Sequence, residues 1–242
     1  MLSFSIEKFY LVLESYNLAI WPIQVFAYIL AGLSLFFIFK PTKYSSKIVL
    51  SILSFFWLFN GIVFGFIYWA PSHTFGYIFG ISCVLQGLMF IHGIWKFDIT
   101  TGYPNITDTL IGILFVLYAA VGYQILGYYL GHIYPVFFPV GLVPCPTTIF
   151  TFGLFLIISK KISVKYYIIP LIISLGGFMV VPKGIYEDIG LIIVGILGTI
   201  LIIRRNAQFK IKDIKTIWQS KSSWYCQYRL VGSNGYGLVL RL

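Results

Sequence analysis

Residues 48–95 have the sequence IVLSILSFFWLFNGIVFGFIYWAPSHTFGYIFGISCVLQGLMFIHGIW, which contains no Asp, Glu, Lys or Arg in 48 residues. A helix of about 20 apolar residues is long enough to cross the hydrocarbon core of a bilayer. An uncharged stretch of more than twice that length is typical of two membrane spans joined by a tight turn. We expect the turn around Pro71–Thr74. This stretch therefore predicts a membrane helical hairpin.

The rest of the chain continues the same pattern. Of its 242 residues, 59% are apolar and 10% are charged, and the mean hydropathy is +0.92. These proportions exclude a soluble globular domain, in which about 25% of the residues would be charged. We predict an all-α fold, a polytopic transmembrane helix bundle of about seven spans, placed near residues 18–39, 48–70, 75–95, 109–130, 138–159, 164–182 and 186–203.

The fifth span differs from the others because Pro139, Pro144 and Pro146 occupy its first third. Each proline removes a backbone hydrogen-bond donor, but a proline suits the first position of a helix. We therefore expect this span to be broken, with residues 133–145 descending into the membrane as extended backbone and a helix beginning at Pro146. About 14 residues would then remain for the helix, roughly 21 Å, which is shorter than the hydrocarbon core.

Basic residues in the short connections predict the orientation, since Lys and Arg are retained on the cytoplasmic side. One set of connections contains nine of them, and the opposite set contains only Lys8 and Lys183. The N-terminus is expected outside and the C-terminus inside, in the plasma membrane or a bacterial inner membrane. The nine are Lys40, Lys43, Lys47, Lys96, Lys160, Lys161, Lys165, Arg204 and Arg205.

The chain is expected to divide into a transmembrane domain, residues 1–203, and a basic cytoplasmic tail, residues 204–242. The tail contains eight basic residues and one acid, Asp213. Such a cluster beside a span is attracted to anionic lipid, by about 1 kcal/mol for each Lys or Arg. We favour anionic lipid over nucleic acid as the partner of the tail. Three dispersed cysteines do not indicate a disulfide framework.

Few polar side chains fall within the predicted spans. Asn60, Gln86 and Gln124 are expected to form hydrogen bonds between helices, with the lining of a site as the alternative. Cys145 would lie at a helix N-terminus, where the thiolate form is favoured, and Cys83 lies at a similar depth. Two thiols at one level can share a metal ion, although free cysteines are often simply small buried hydrophobic residues.

A second polar group is expected at the outer surface, where two histidines and several acids fall at the ends of spans. They can attract a divalent cation or relay protons, although acids at a helix start and loop histidines are often only structural. The sequence indicates no particular cofactor. The candidate metal ligands are Cys145, Cys83, His132 and His73. The candidate substrate-binding residues are Asn17, Gln24, Pro144, Cys145, Pro146, Thr147, Thr148, Glu187 and Asp188.

Three strings carry a resemblance to a known family: YNLAIWPIQ at residues 16–24, PCPTTIFTFG at residues 144–153 and EDIGL at residues 187–191. Together they resemble an uncharacterised bacterial membrane-protein family, domain of unknown function 6064, over approximately residues 3–203. The resemblance implies a multi-span bacterial membrane protein and supplies no reaction. The basic tail after Arg205 is expected to lie outside the family.

For function, we favour a small transporter or permease-like protein with a polar site on the outward side, for a small solute or a metal ion. A membrane-embedded enzyme that uses Cys145 is an alternative, and it requires His132 to reach the thiol. A structural or accessory membrane subunit is the third possibility, because aromatic residues are abundant and polar ones are few.

Overall fold

The computed structural model describes residues 5–96, 105–158 and 161–232, and the surroundings of side chains as far as Ile211. All regular structure in these ranges is helical, which confirms the prediction of an all-α fold. The helices are α1 (Ile6–Ala19), α2 (Trp21–Phe39), α3 (Ser45–Phe59), α4 (Phe75–Gly93), α5 (Ile106–Leu117), α6 (Tyr123–Tyr129), α7 (Pro144–Ile157), α8 (Ile168–Leu175), α9 (Gly177–Val180) and α10 (Asp188–Gly232).

Two π-helices and two 3₁₀-helices complete the described structure. The first π-helix, Asn60–Trp69, continues α3, and the second, Tyr118–Gly122, joins α5 to α6. The 3₁₀-helices are Val164–Tyr166 and Val181–Lys183. π-helices are rare and occur frequently at functional sites. Both of those in this chain contain or adjoin residues of the site described below.

Four helices in the described ranges are long and apolar enough to cross a membrane: Trp21–Phe39, Ser45–Trp69, Phe75–Gly93 and Ile106–Tyr129. They coincide with the first four predicted spans. Large apolar side chains on them face outward, for example Ile29, Ile78 and Leu114, each more than half exposed. Such an extensive apolar exterior is typical of a surface that contacts lipid.

Helix α7 forms the centre of the bundle, because thirteen of its fourteen residues are buried. It packs mainly against α5, and the two backbones approach closely at Gly112 and Gly153. A Cβ atom on Gly112 would lie 2.7 Å from the carbonyl oxygen of Gly153. Small residues permit this close approach, as they do at helix interfaces in membranes.

The segment between α6 and α7, residues 130–143, has no regular helix, and its second half, from Phe138 to Val143, is buried. We call it the buried loop. Helix α7 then begins at Pro144, two residues earlier than predicted, because Val143 is the last extended residue. Cys145 therefore lies inside the first turn of α7 rather than immediately before it.

The chain separates into two units, residues 1–202 and residues 203–242. The first unit contains α1 to α9, the buried loop and the beginning of α10. The second unit, as far as the structure describes it, is the helical continuation of α10 to Gly232. The candidate site described next lies entirely within the first unit.

Candidate functional site

Two adjacent acids, Glu187 and Asp188, form the centre of the site. They lie where the chain turns from the 3₁₀-helix ending at Lys183 into α10, through Gly184 in the left-handed region (φ 105°). Both side chains are buried, with 0% and 1% of their surface exposed. The first turn of a helix favours negative charge, which explains their position, but two buried carboxyls also need hydrogen-bond partners.

Asp188 accepts hydrogen bonds from two neutral donors. The hydroxyl of Tyr123 donates to Oδ1 at 2.5 Å, and the thiol of Cys145 donates to Oδ2 at 3.3 Å. Tyr123 is the first residue of α6 and follows directly on the second π-helix. Cys145 comes from the first turn of α7. The site thus joins three elements that are distant in sequence at one carboxyl group.

Glu187 belongs to a different hydrogen-bonded chain. Its Oε1 lies 2.5 Å from Nδ1 of His132, and Nε2 of the same ring lies 2.8 Å from the hydroxyl of Tyr10. A carboxylate only accepts hydrogen bonds, so Nδ1 carries the proton when Glu187 is ionised. Burial raises the pKa of the Tyr10 phenol above its ordinary value, and the negative charge of Glu187 raises it further.

Two further contacts fix the position of Glu187. The hydroxyl of Tyr118 donates to its backbone oxygen at 2.8 Å, and a Cβ on Gly127 would lie 2.9 Å from Oε1. Only glycine at position 127 leaves room for the carboxyl. Among the described residues, Oε2 of Glu187 has no hydrogen-bond partner. This pair of acids therefore has one unused buried acceptor.

An apolar cavity of about 250 Å³ adjoins Asp188 and Cys145. Ser82, Cys145 and Asp188 are the lining residues with polar side chains. The remaining lining residues are aromatic, aliphatic, proline or glycine: Phe9, Phe64, Trp69, Phe75, Ile78, Phe79, Phe138, Val143, Pro144, Ile172, Ile173, Gly176, Gly177, Val180, Ile185 and Leu191. An apolar cavity of about 150 Å³ can hold a benzene molecule. This larger one accommodates a ring with a small substituent.

Polar side chains from several helices hold the buried loop against this site. Nδ2 of Asn17 donates to the carbonyls of Pro135 and Phe137 at 2.7 and 2.8 Å, and Gln24 in turn donates to Asn17. The hydroxyl of Tyr16 donates to the carbonyl of Leu142 at 2.5 Å. These bonds satisfy loop carbonyls that a regular helix would have satisfied by itself.

Polar side chains in the middle of the bundle also form hydrogen bonds to the buried loop. Asn60 donates to the carbonyl of Gly141 at 2.9 Å, and Gln124 donates to the carbonyl of Phe138. The hydroxyl of Thr147 accepts from the backbone N–H of Gly141 at 2.9 Å and donates to Val143. The expected role of Asn60 and Gln124 is therefore refined: both bind loop backbone, and Asn60 also donates to the hydroxyl of Thr147 on α7 at 3.4 Å.

The remaining predicted polar residues are also placed. Gln86 donates to the carbonyl of Tyr166 at 3.0 Å. The hydroxyl of Thr148 is buried with no hydrogen-bond partner in the part of the chain that the structure describes, and Pro146 is also buried. His73 accepts from the backbone N–H of Phe75 in the turn before α4. These contacts do not join the two acids.

The structure brings several predicted site residues together: Cys145 with Asp188, His132 with Glu187, and Pro144 with the cavity wall. Cys83 is fully buried and does not line the cavity. Within the described ranges, no group of three or more His, Cys, Asp and Glu side chains is placed to hold a metal ion. The four predicted metal ligands are therefore not gathered into one such site.

Sequence reasoning missed three tyrosines of the site, Tyr10, Tyr118 and Tyr123. The chain contains 18 tyrosines, so the residue type alone gave no signal. Tyr118 and Tyr123 are five residues apart, a spacing that puts two side chains on the same side of a π-helix but not of an α-helix. No sequence pattern indicated that π-helix.

The comparisons with known proteins give one family. Neither the curated proteins nor the solved structures include a match to this chain. The family match covers residues 6–213, and it therefore continues ten residues beyond the expected limit, into the basic segment. The expectation that everything after Arg205 lies outside the family is wrong for residues 206–213. Since the match spans most of the sequence, the chain belongs to the family described as Family of unknown function (DUF6064).

Proposed function

We propose that this chain is a permease-like membrane protein that binds a small, largely apolar solute in the cavity beside Cys145 and Asp188. The observation that carries the proposal is the cavity itself: about 250 Å³ of space whose largely apolar wall includes Asp188 and Cys145. Ligand sites are typically apolar cavities with a few polar groups that orient the ligand.

The proposal includes a topology of seven spans with the N-terminus outside, in a bacterial plasma membrane. The distribution of Lys and Arg supports this orientation. Helix α7 has 14 residues, about 21 Å, so the fifth crossing includes part of the buried loop. Irregular backbone is tolerated at membrane depth where protein surrounds it, and the hydrogen bonds to the loop carbonyls meet that condition. Glu187 and Asp188 then lie toward the outer side.

An enzyme that uses Cys145 is the less favoured function. A cysteine nucleophile needs a base within hydrogen-bond reach, and His132 was the expected base. Both ring nitrogens of His132 are engaged, by Tyr10 and by Glu187, while the thiol of Cys145 bonds to Asp188. A purely structural subunit is also less favoured, because protein interiors are normally packed with few voids larger than a water molecule.

The experiment measures access to Cys145 in the native membrane, with Cys226 replaced by Ser so that two thiols remain. N-ethylmaleimide, which is small and uncharged, should modify Cys145 faster than Cys83, because only Cys145 borders the cavity. A small neutral aromatic such as neopentylbenzene should protect Cys145 and leave the modification of Cys83 unchanged.

A matched pair of variants tests whether the reagent reaches Cys145 through the cavity. Val180→Trp places a large ring in the cavity wall and should slow modification of Cys145 at least tenfold and remove the protection. Met179→Trp, at the adjacent position that is 68% exposed, should change neither. If neither thiol reacts in the native membrane and both react only after denaturation, the proposal is contradicted.

A further inference from the structure

The cavity contains a buried acid without a basic partner. Among the described residues, Asp188 accepts from the hydroxyl of Tyr123 and the thiol of Cys145, both neutral donors. No Lys or Arg within the described ranges lines the cavity or forms an ion pair with Asp188. A buried carboxylate is costly unless a positive charge compensates it. A positively charged ligand would supply the charge that the protein does not.

The aromatic part of the cavity wall is suited to a cation as well. Six aromatic side chains line the cavity: Phe9, Phe64, Trp69, Phe75, Phe79 and Phe138. Four of them cluster around the indole of Trp69, with ring centroids 5.2 to 5.8 Å from it. The faces of aromatic rings attract cations, and Trp does so most strongly. A carboxylate next to aromatic rings is the combination of groups that binds ammonium compounds.

We propose that the solute of this cavity is an apolar amine or quaternary ammonium compound, with its positive charge at Asp188 and its apolar body among the aromatic rings. This inference rests on the proposed function and names the class of its solute. A cavity of about 250 Å³ holds a single ring with a small ammonium head.

Other solute classes fit less well. An anion would be repelled by Asp188 and by the neighbouring Glu187. A sugar would leave most of its hydroxyls without partners, because the described part of the cavity wall offers three polar side chains: Ser82, Cys145 and Asp188. Hydroxyls buried without partners cost free energy, so the wall selects against such solutes.

The route into the cavity fits the same class. Two lining residues, Ile78 on α4 and Ile172 on α8, are each 61% exposed on the apolar exterior of the bundle. The cavity wall is therefore continuous with the surface that contacts lipid. An apolar amine partitions into a bilayer and reaches this part of the wall from the lipid, without crossing a hydrated pore.

The test compares two probes of the same shape and different charge. Benzyltrimethylammonium carries the positive charge, and neopentylbenzene has carbon in place of its nitrogen. Both are added to the protein in nanodiscs of zwitterionic lipid, and protection of Cys145 from N-ethylmaleimide is measured as a function of aqueous concentration, corrected for partition into lipid. The cation should half-protect at a concentration at least about tenfold lower than its neutral isostere.

Asp188→Asn keeps the shape of the side chain and removes its charge. In this variant the preference for the cation should fall to the part that the aromatic rings supply, while protection by neopentylbenzene persists. Glu7→Gln removes a carboxylate from the exposed surface of α1 and should leave the preference unchanged. Benzenesulfonate, an anion, should give no protection of the wild-type protein.

The outcomes separate the two proposals. Equal protection by the cation and its isostere in the wild-type protein would overturn the ammonium inference and leave the cavity site standing. A cation preference that is undiminished in Asp188→Asn would overturn the role of Asp188. Absence of protection by either probe would overturn both. Comparing the two probes on the wild-type protein tests the ammonium inference even if Asp188→Asn does not fold.

Discussion

Replacing Asn17 by Asp tests the claim that polar side chains are used to hold the buried loop. The amide of Asn17 donates two hydrogen bonds, to the carbonyls of Pro135 and Phe137, and its Oδ1 accepts from Gln24. Aspartate has the same shape and can still accept from Gln24. An ionised aspartate cannot donate, so the substitution removes the two loop contacts and keeps the contact with Gln24.

The expected cost follows from those two bonds. A buried carbonyl that loses its donor costs about 1–3 kcal/mol. Pro135 and Phe137 are only half-buried, so water reaches the loop and the lower end of that range applies to each bond. Asn17 itself is fully buried, and a carboxylate facing two carbonyl oxygens adds repulsion. We therefore expect a loss of about 2–4 kcal/mol in the free energy of unfolding.

The assay is thermal unfolding of the protein in detergent or nanodiscs, in which this loss should lower the Tm by about 5–15 °C. Asn105→Asp is the matched control, because it makes the same chemical change at an exposed residue. There Oδ1 caps the N-terminus of α5 by accepting from the N–H of Thr107, which Asp does equally well. An Asn17→Asp protein that unfolds within 1–2 °C of the control would refute the structural role.

Two further predictions concern the acid pair and the topology. Gly127→Ala should destabilise the protein by about 1–3 kcal/mol, because its Cβ would lie 2.9 Å from Oε1 of Glu187; Gly32→Ala, with nothing within 4 Å, should have little effect in the same unfolding measurement. An impermeant thiol reagent should label His73→Cys from outside the cell and Lys43→Cys only after permeabilisation, and the reverse result would invert the proposed orientation.

Composition and charge pattern were enough to predict the helical bundle, because uncharged stretches of 20 or more residues have few other folded states. They also drew attention to Cys145 and Asp188 separately. The hydrogen bond between them was not predictable, since the two residues are 43 positions apart and meet only through the packing of α7 beside the start of α10. Helix periodicity describes one element at a time and contains no information on that packing.

The same limit explains the roles of Asn60 and Gln124. A polar side chain in an apolar span indicates that a partner exists but does not say which one. The partners include carbonyls of the buried loop, whose irregular backbone leaves them without helical hydrogen bonds, and Asn60 also donates to Thr147 on α7. The prolines indicated irregular backbone there, but they did not show which side chains would satisfy it. That assignment required the three-dimensional structure.

The cavity lies between walls that are held together in different ways. On one side, the buried loop and α7 are fixed by side-chain hydrogen bonds, including those of Asn17 and Asn60. On the other side, the only side chain of residues 168–180 that forms a hydrogen bond within the described structure is Ser174, and it bonds to its own helix. Apolar contacts lack the directional restraint of hydrogen bonds, so local opening costs less free energy in that wall. We therefore expect the wall formed by residues 168–180 to yield to a solute, while the carboxyl of Asp188 stays in place.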